Sequence, residues 1–183
     1  MVTIDLGRAV SPVGLAEAKA WARIERGDED DTLALLLSAA SEAAEAELGL
    51  ALSRRKFRIV ADRSPPDGVL SLKLTPLVSV DAVLAYARDG TEIAFDPALE
   101  AAILDDGSGV RLSGAVRAAG VNGIDVTVTA GLAAEAIPAE VKHAILVAAA
   151  TWFEARIAAG DAVTGILPSP ARRLLRARRR MRL

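Results

Sequence analysis

The spacing of apolar residues in the first fifty positions predicts two helices joined by a short acidic turn. The first helix is expected from Gly14 or Leu15 to about Glu25, with Gly27 ending it. The second helix carries an apolar stripe at 3.6-residue periodicity, formed by Leu33, Leu36, Leu37, Ala40, Ala44 and Leu48. Negative charge favours the start of a helix, and four acidic residues precede or open this one: Asp28, Glu29, Asp30 and Asp31. Gly49 is its expected end.

The middle of the chain changes to a period of two, which is typical of half-buried strands. Alternating apolar positions predict strands at residues 55–61, 70–74, 78–86 and 124–129. Asp89-Gly90 predicts a hairpin turn between Tyr86 and Ile93. Residues 96–121 show a turn at 105–109 and further breaks at Gly114 and Gly120.

Two more helices are predicted near the C-terminus. One starts near Pro138 and continues to about Ala159, and it is apolar on nearly all sides, as a central helix would be. After a loop, Ser169-Pro170 predicts an N-cap and a first-turn proline for a last helix that extends beyond the core.

These elements predict an α+β fold, in which a helix hairpin and a long central helix pack with a small antiparallel β region and a C-terminal helical extension follows. The expected organisation is a core at residues 1–168, with a β-rich insertion at about 53–130, and a basic tail at 169–183. The apolar content of 52% is enough for a core, whereas the aromatic content is only 3%. No cysteine is present, so disulfides and thiolate metal sites are excluded. Neither a signal peptide nor a membrane-spanning segment is expected.

Charge is distributed unevenly along the chain. Removing the seven arginine charges of residues 171–183 from the net charge of −2 leaves −9 for residues 1–170. Repulsion within the tail would be relieved by an anionic partner. The candidate partner-binding residues are Arg172, Arg173, Leu174, Leu175, Arg176, Arg178, Arg179, Arg180 and Arg182.

Other residues give no indication of an enzyme or a cofactor. His143 is the only histidine, and a lone histidine matches no catalytic or metal-binding motif. Consecutive acids at a helix start point about 100° apart, so they do not converge on one metal ion. Gly107-Ser108-Gly109 fails the dinucleotide-binding pattern because Leu112 stands at the third glycine position and no helix pattern follows.

Three segments together resemble the head–tail connector (adaptor) family of long-tailed phages and gene transfer agents. They are LAEAKAWARIERGDEDDTLALLLSAASEAAEAELG, then VTVTAGLAAEAIPAEVKHAILVAAATWFEAR, and the stretch from Leu167-Pro168 to Leu174-Leu175-Arg176. The resemblance implies a structural protein without catalytic residues or cofactors, assembled in the bacterial cytoplasm. It would form a ring, usually of twelve copies, in the neck of the particle. The ring would dock on the portal, bind the next tail component (a stopper or tail terminator) and surround double-stranded DNA.

The arginine tail leaves two partners open. Carboxylates of the portal would form bidentate pairs with guanidinium groups. DNA phosphates would instead bind them with salt-dependent, sequence-blind affinity. The resemblance favours the portal, because it places this end of the chain near it. The alternative is a nucleic-acid-binding module that acts through the tail, and no membrane partner is expected.

Overall fold

The structure, a computed structural model, describes the backbone of residues 1–159 and 167–176 and the side chains of residues 1–155 and 167–176. Contacts divide this part of the chain into two units. A β-rich unit comprises Met1–Arg8 and Arg54–Gly131, and a helical unit comprises Ala9–Ser53 and the described residues from Leu132 onward. The α+β class expected from the sequence is confirmed.

The described elements alternate between the two units along the chain. The helices are α1 (Leu15–Ala22), α2 (Asp30–Leu48), α3 (Pro97–Glu100), α4 (Gly114–Ala119), α5 (Ala139–Ala159) and α6 (Ser169–Arg176). The strands are β1 (Val2–Asp5), β2 (Arg55–Ala61), β3 (Val69–Ser71), β4 (Leu77–Tyr86), β5 (Glu92–Phe95), β6 (Ala101–Ile103), β7 (Gly109–Leu112) and β8 (Ile124–Ala130). The predicted helix hairpin, central helix and four strands are therefore present, with small shifts at most ends, although the strand predicted at 70–74 already ends at Ser71.

The core of the helical unit lies where α2, α5 and α6 meet. The predicted stripe of α2 is buried along its whole length, from Leu33 to Leu48. Helix α5 buries residues on two adjacent sides, among them Ile145 and Trp152 on one and Leu146 and Phe153 on the other. A helix that is apolar nearly all round is stable only when neighbours cover it, and α2 and α6 do so here.

Helix α1 ends earlier than the sequence predicts, at Ala22 rather than near Glu25. Arg23 adopts the left-handed conformation with φ 56°, and the backbone N–H of Ile24 donates to the carbonyl of Lys19 at 2.9 Å. This is the Schellman arrangement, in which the second residue past the helix commonly packs back on it. Ile24 packs against the helical core, so its burial decides where α1 stops.

The β-rich unit contains two antiparallel sheets. Strand order is β1-β2-β8-β4-β5 in the larger sheet and β3-β7-β6 in the smaller one. One face of the larger sheet supplies the buried core of this unit. Its fully buried side chains include Phe57, Ile59, Val83, Val126 and Val128.

Several elements of this unit are absent from the sequence-based prediction. The N-terminal strand β1 joins the larger sheet, and β6, β7, α3 and α4 occupy the stretch at 96–121 that the pattern resolved only into turns. Gly114, predicted as a break, is the first residue of α4, and the Ser113 side chain accepts a hydrogen bond from the Val116 N–H. Short elements of three to six residues carry too few positions for a period to show.

Candidate partner-binding surfaces

Helix α6 is anchored in the helical core by one narrow apolar face. Ala171 and Leu175, four residues apart, are fully buried, and Leu167 just before the helix is also buried. The Arg172 N–H donates to the Pro168 carbonyl at 3.0 Å, so the helical hydrogen bonds start one residue before Ser169. The proline at 170 lies in the first turn as predicted, while Ser169 is a helical residue rather than the cap.

The opposite face of α6 is basic. Ser169, Arg172, Arg173 and Arg176 line an open depression on the surface. Arg173 and Arg176 are exposed and Arg172 is half-buried. Within residues 1–155 and 167–176, no carboxylate lies within ion-pair distance of these three guanidinium groups. Arg173 and Arg176 also lie in the last turn, where positive charge complements the helix dipole.

The structure therefore divides the predicted binding residues into groups. Arg172, Arg173 and Arg176 share the basic face, and Leu174 is half-buried at its border. Leu175 was predicted as an apolar anchor for a partner, but its side chain is fully enclosed in the helical core. Correspondingly, the first part of the predicted tail is core structure rather than an extension. Arg178, Arg179, Arg180 and Arg182 lie outside the described residues.

The acidic run between α1 and α2 has a local structural role. Asp30 and Asp31 occupy the first turn of α2, as the sequence predicts. Lys19 of α1 donates to the Asp30 carboxylate at 2.6 Å, which ties the two helices together across the turn. Part of the negative charge of this acidic run is thus neutralised by a lysine of the preceding helix.

His143 lies on the exposed side of α5, beside Trp21 of α1. Their rings meet edge to face with centroids 6.2 Å apart. Trp21 is 47% exposed, which is high for a tryptophan. In the part of the chain that the structure describes, no three His, Cys, Asp or Glu side chains are placed to hold a metal ion. None of the described helices has both the length and the apolar character that a membrane crossing requires.

The glycine turn at 107–109 also has a packing explanation. Gly107 has a positive φ of 66°, and the Ser108 N–H donates to the Asp106 side chain at 2.9 Å. A Cβ on Gly109 would lie 2.7 Å from the backbone oxygen of Leu70 on β3. Glycine is required here because two strands approach closely, and strand β7 follows rather than a phosphate-binding helix.

The exposed surface of the N-terminal segment was not predicted from the sequence. Val2, Ile4 and Leu6 point to the same side of the N-terminal segment, and all three are exposed. The alternation of these residues with Thr3 and Asp5 is the pattern that would have revealed a strand. An exposed apolar strand at the edge of a sheet is a surface with which another chain can pair.

No family model matches this sequence, and no curated protein matches it either. Solved structures do match over the whole chain. A chain in the neck of an empty GTA particle, computed with C6 symmetry, is 23% identical with a TM-score of 0.77. A chain in the virion of a native gene transfer agent (GTA) particle is 21% identical with a TM-score of 0.76. A chain in the neck of a native GTA particle, computed with C12 symmetry, is 20% identical with a TM-score of 0.71. Each match covers 100% of this chain and 97% of the other, so the likeness establishes a shared fold.

Proposed function

We propose that this chain is a structural head–tail connector, or adaptor, that forms a ring between portal and tail of a phage or gene transfer agent particle. The observation that carries the proposal is the fold shared, over the full length of this chain, with chains from GTA particle necks. The order of the three sequence segments described above supports it independently. On this proposal the protein acts by assembly, without a chemical step or a cofactor.

The ring would be homo-oligomeric, with twelve copies as its expected size. The C6 and C12 symmetries used for the necks of the matching particles support a ring of this order. In such a ring each copy contacts two neighbours through two different surfaces, and closure distributes the stability over many weak contacts. Its two axial faces would bind the portal on one side and a stopper or tail terminator on the other.

The basic C-terminal segment is the surface that we assign to the portal. Arg172, Arg173 and Arg176 have no acidic partner among the described residues, so they are available for carboxylates of another protein. Planar guanidinium groups form bidentate pairs with carboxylates, which give orientation as well as affinity. We extend the assignment to Arg178, Arg179, Arg180 and Arg182, with Leu174 as an apolar contact and Leu175 as an internal support.

The rest of the chain suits a conduit for double-stranded DNA. Residues 1–170 carry a net charge of −9, once the seven arginines of the tail are subtracted from −2. A ring with acidic walls repels phosphates, so DNA would pass through it without binding. Lumen-facing residues that proved to be mostly lysine and arginine in an assembled ring would contradict this part of the proposal.

Native mass spectrometry of the protein mixed with the portal ring from the same genome tests the proposal. A stoichiometric ring complex is expected with the full chain. The triple variant R172E/R173E/R176E should lose the complex, because it reverses the basic face without touching the buried face of α6. A chain shortened after Arg176 tests the remaining four arginines. It keeps all of α6, which the helical core requires and which a chain ending at Ser169 would lose.

The matched control is R63E/R88E/R111E, which makes the same charge change at three exposed positions of the β-rich unit. It should leave the complex intact. Absence of a complex with the unmodified chain, together with tight and salt-sensitive DNA binding by that chain alone, would replace the adaptor proposal with a nucleic-acid-binding module.

A further inference from the structure

β1 and β5 are the two outer strands of the larger sheet, and no other strand among the described residues pairs with their outward edges. Directly after β1, the Leu6 N–H donates at 3.0 Å to the carbonyl of Lys56, which is its partner in the continued β1–β2 register. In an antiparallel ladder, hydrogen-bonded pairs alternate with non-bonded pairs. Ile4 and Val2 therefore bond to β2 as Leu6 does, whereas the backbone groups of Thr3 and Asp5 point away from the sheet.

The same reasoning applies to β5 at the other end of the sheet. The Ala87 N–H donates to the Thr91 carbonyl at 2.9 Å, and the register continues as Ala85 with Ile93. The alternation assigns the ladder bonds to Ile93 and Phe95. The backbone groups of Glu92 and Ala94 therefore point outward.

The edge at β1 is only partly protected against pairing with another strand. It has no proline, lysine or bulge, which commonly block edge-to-edge pairing, although it is short and includes the inward-facing Asp5. Its apolar side chains Val2, Ile4 and Leu6 are 61%, 42% and 53% exposed on one face. On the other face, Asp5 is held by Arg55, whose Nε donates to the carboxylate at 2.7 Å.

The two edges match each other in length and direction. Both strands have four residues, and every neighbouring pair in the sheet is antiparallel. Four antiparallel steps bring the fifth strand back to the direction of the first. A head-to-tail repeat of the sheet would therefore place β1 parallel to β5 of the next copy, whereas β1 against β1 would be antiparallel and would end at a dimer.

We propose that the free edge of β1 pairs with the free edge of β5 of a neighbouring copy, so that the sheets join around the ring. This inference rests on the proposed ring, which requires two different and complementary surfaces on each copy. Ile4 would lie beside the small side chain of Ala94 on one face. On the other face, Thr3 would cover Ile93 and Phe95, which are half-buried at the open side of β5.

Proline substitutions test the pairing without disturbing the fold. Thr3→Pro and Ala94→Pro each remove an outward N–H and leave the ladder within the chain intact, as proline at an edge allows. Thr3→Val and Ala94→Val keep the N–H and serve as matched controls. Each proline should weaken assembly of the complete ring on the portal about fivefold per interface, the effect of losing one hydrogen bond. The melting temperature of the free protein should stay close to that of its valine control.

Cross-linking gives the direction of pairing. The chain has no cysteine, so Ile4→Cys and Ala94→Cys introduce the only thiols. In rings assembled on the portal, the double variant treated with a short bifunctional thiol reagent should give a ladder of multimers up to the ring size. The single variants should give none.

Three outcomes separate the inference from the proposed function. Covalent dimers from Ile4→Cys alone would indicate two-fold pairing of β1 and overturn the inference. Complete rings that form equally well with both proline variants and give no cross-linked ladder would also overturn it, while the adaptor proposal stands. Failure of the unmodified chain to form any ring with the portal would overturn both.

Discussion

Replacing Leu175 with alanine tests whether the C-terminal helix belongs to the helical core. The side chain is fully buried, and α6 contacts both α5 and α2. Truncating a fully buried leucine removes its transfer free energy and leaves a cavity, which together cost about 3 kcal/mol of unfolding free energy within a usual span of roughly 2–5. For a chain of this size, that corresponds to a fall in melting temperature of roughly 6–12 °C.

Urea unfolding followed by circular dichroism measures the change, with Leu174→Ala and Arg173→Ala as controls on the same helix. Leu174 is half-buried and should cost about 1 kcal/mol, while the exposed Arg173 should stay within about 0.5 kcal/mol. If Leu175→Ala and Arg173→Ala lowered the free energy of unfolding equally, the assignment of α6 to the core would be refuted. Portal binding by Leu175→Ala at low temperature should remain, because the basic face does not include this side chain.

Three further predictions concern the β-rich unit. Arg58→Met should lower the melting temperature and the free energy of unfolding, because it leaves the buried carboxylate of Asp125 without its partner, the Arg58 Nε that donates to it at 2.6 Å. The same pairing raises the pKa of Arg58, and unchanged thermal and urea unfolding would contradict it. The N–H of Thr91 donates to the Asp89 carboxylate and lowers the pKa of Asp89, so this group adds stability above its unfolded-state pKa that is lost as the pH falls through the folded value. Asp89→Asn should therefore flatten the decrease in melting temperature between roughly pH 5 and pH 3, and an unchanged profile would count against the hydrogen bond. Gly109→Ala should cost about 2 kcal/mol or more of unfolding free energy, because its Cβ would strike a backbone oxygen. Gly114→Ala has open space around it in α4 and should be neutral or stabilise the protein by about 0.5 kcal/mol. Paired melting curves in which Gly114→Ala is the less stable variant would contradict both expectations.

Long periodic segments of the sequence predicted the helical elements well. The stripe of α2 spans five turns and the apolar surface of α5 spans nearly six, so each periodic pattern is long enough to identify a helix. The strands β2 and β8 were found for the same reason, since each holds at least three alternating buried positions. Strand β4 was placed correctly along the chain, but its buried residues are Leu77, Val83 and Ala85, whereas the sequence shows its apolar alternation at the even-numbered positions from 78 to 86. Short elements such as β6 and α3 depend on contacts with distant strands, and no local pattern specifies them.

The candidate partner surface was predicted in part. Clustered arginines are visible in the sequence, but the buried side of α6 depends on which residues face α5 and α2. Arg172, Arg173 and Arg176 therefore stay candidate contacts, while the side chain of Leu175 is used internally. The exposed strand β1 is the opposite case, because its alternating pattern was present but too short to distinguish from a flexible end.

Local sequence thus determined the periods, the turns at glycine and the uneven charge, because these depend only on neighbours along the chain. Tertiary structure decided the rest. Whether α1 stops at Ala22 depends on the burial of Ile24, and whether β1 is a strand depends on β2, more than fifty residues away. Edges and faces exist only once distant segments pair, because hydrogen-bonding direction and solvent exposure are properties of the assembled sheet and not of any one strand.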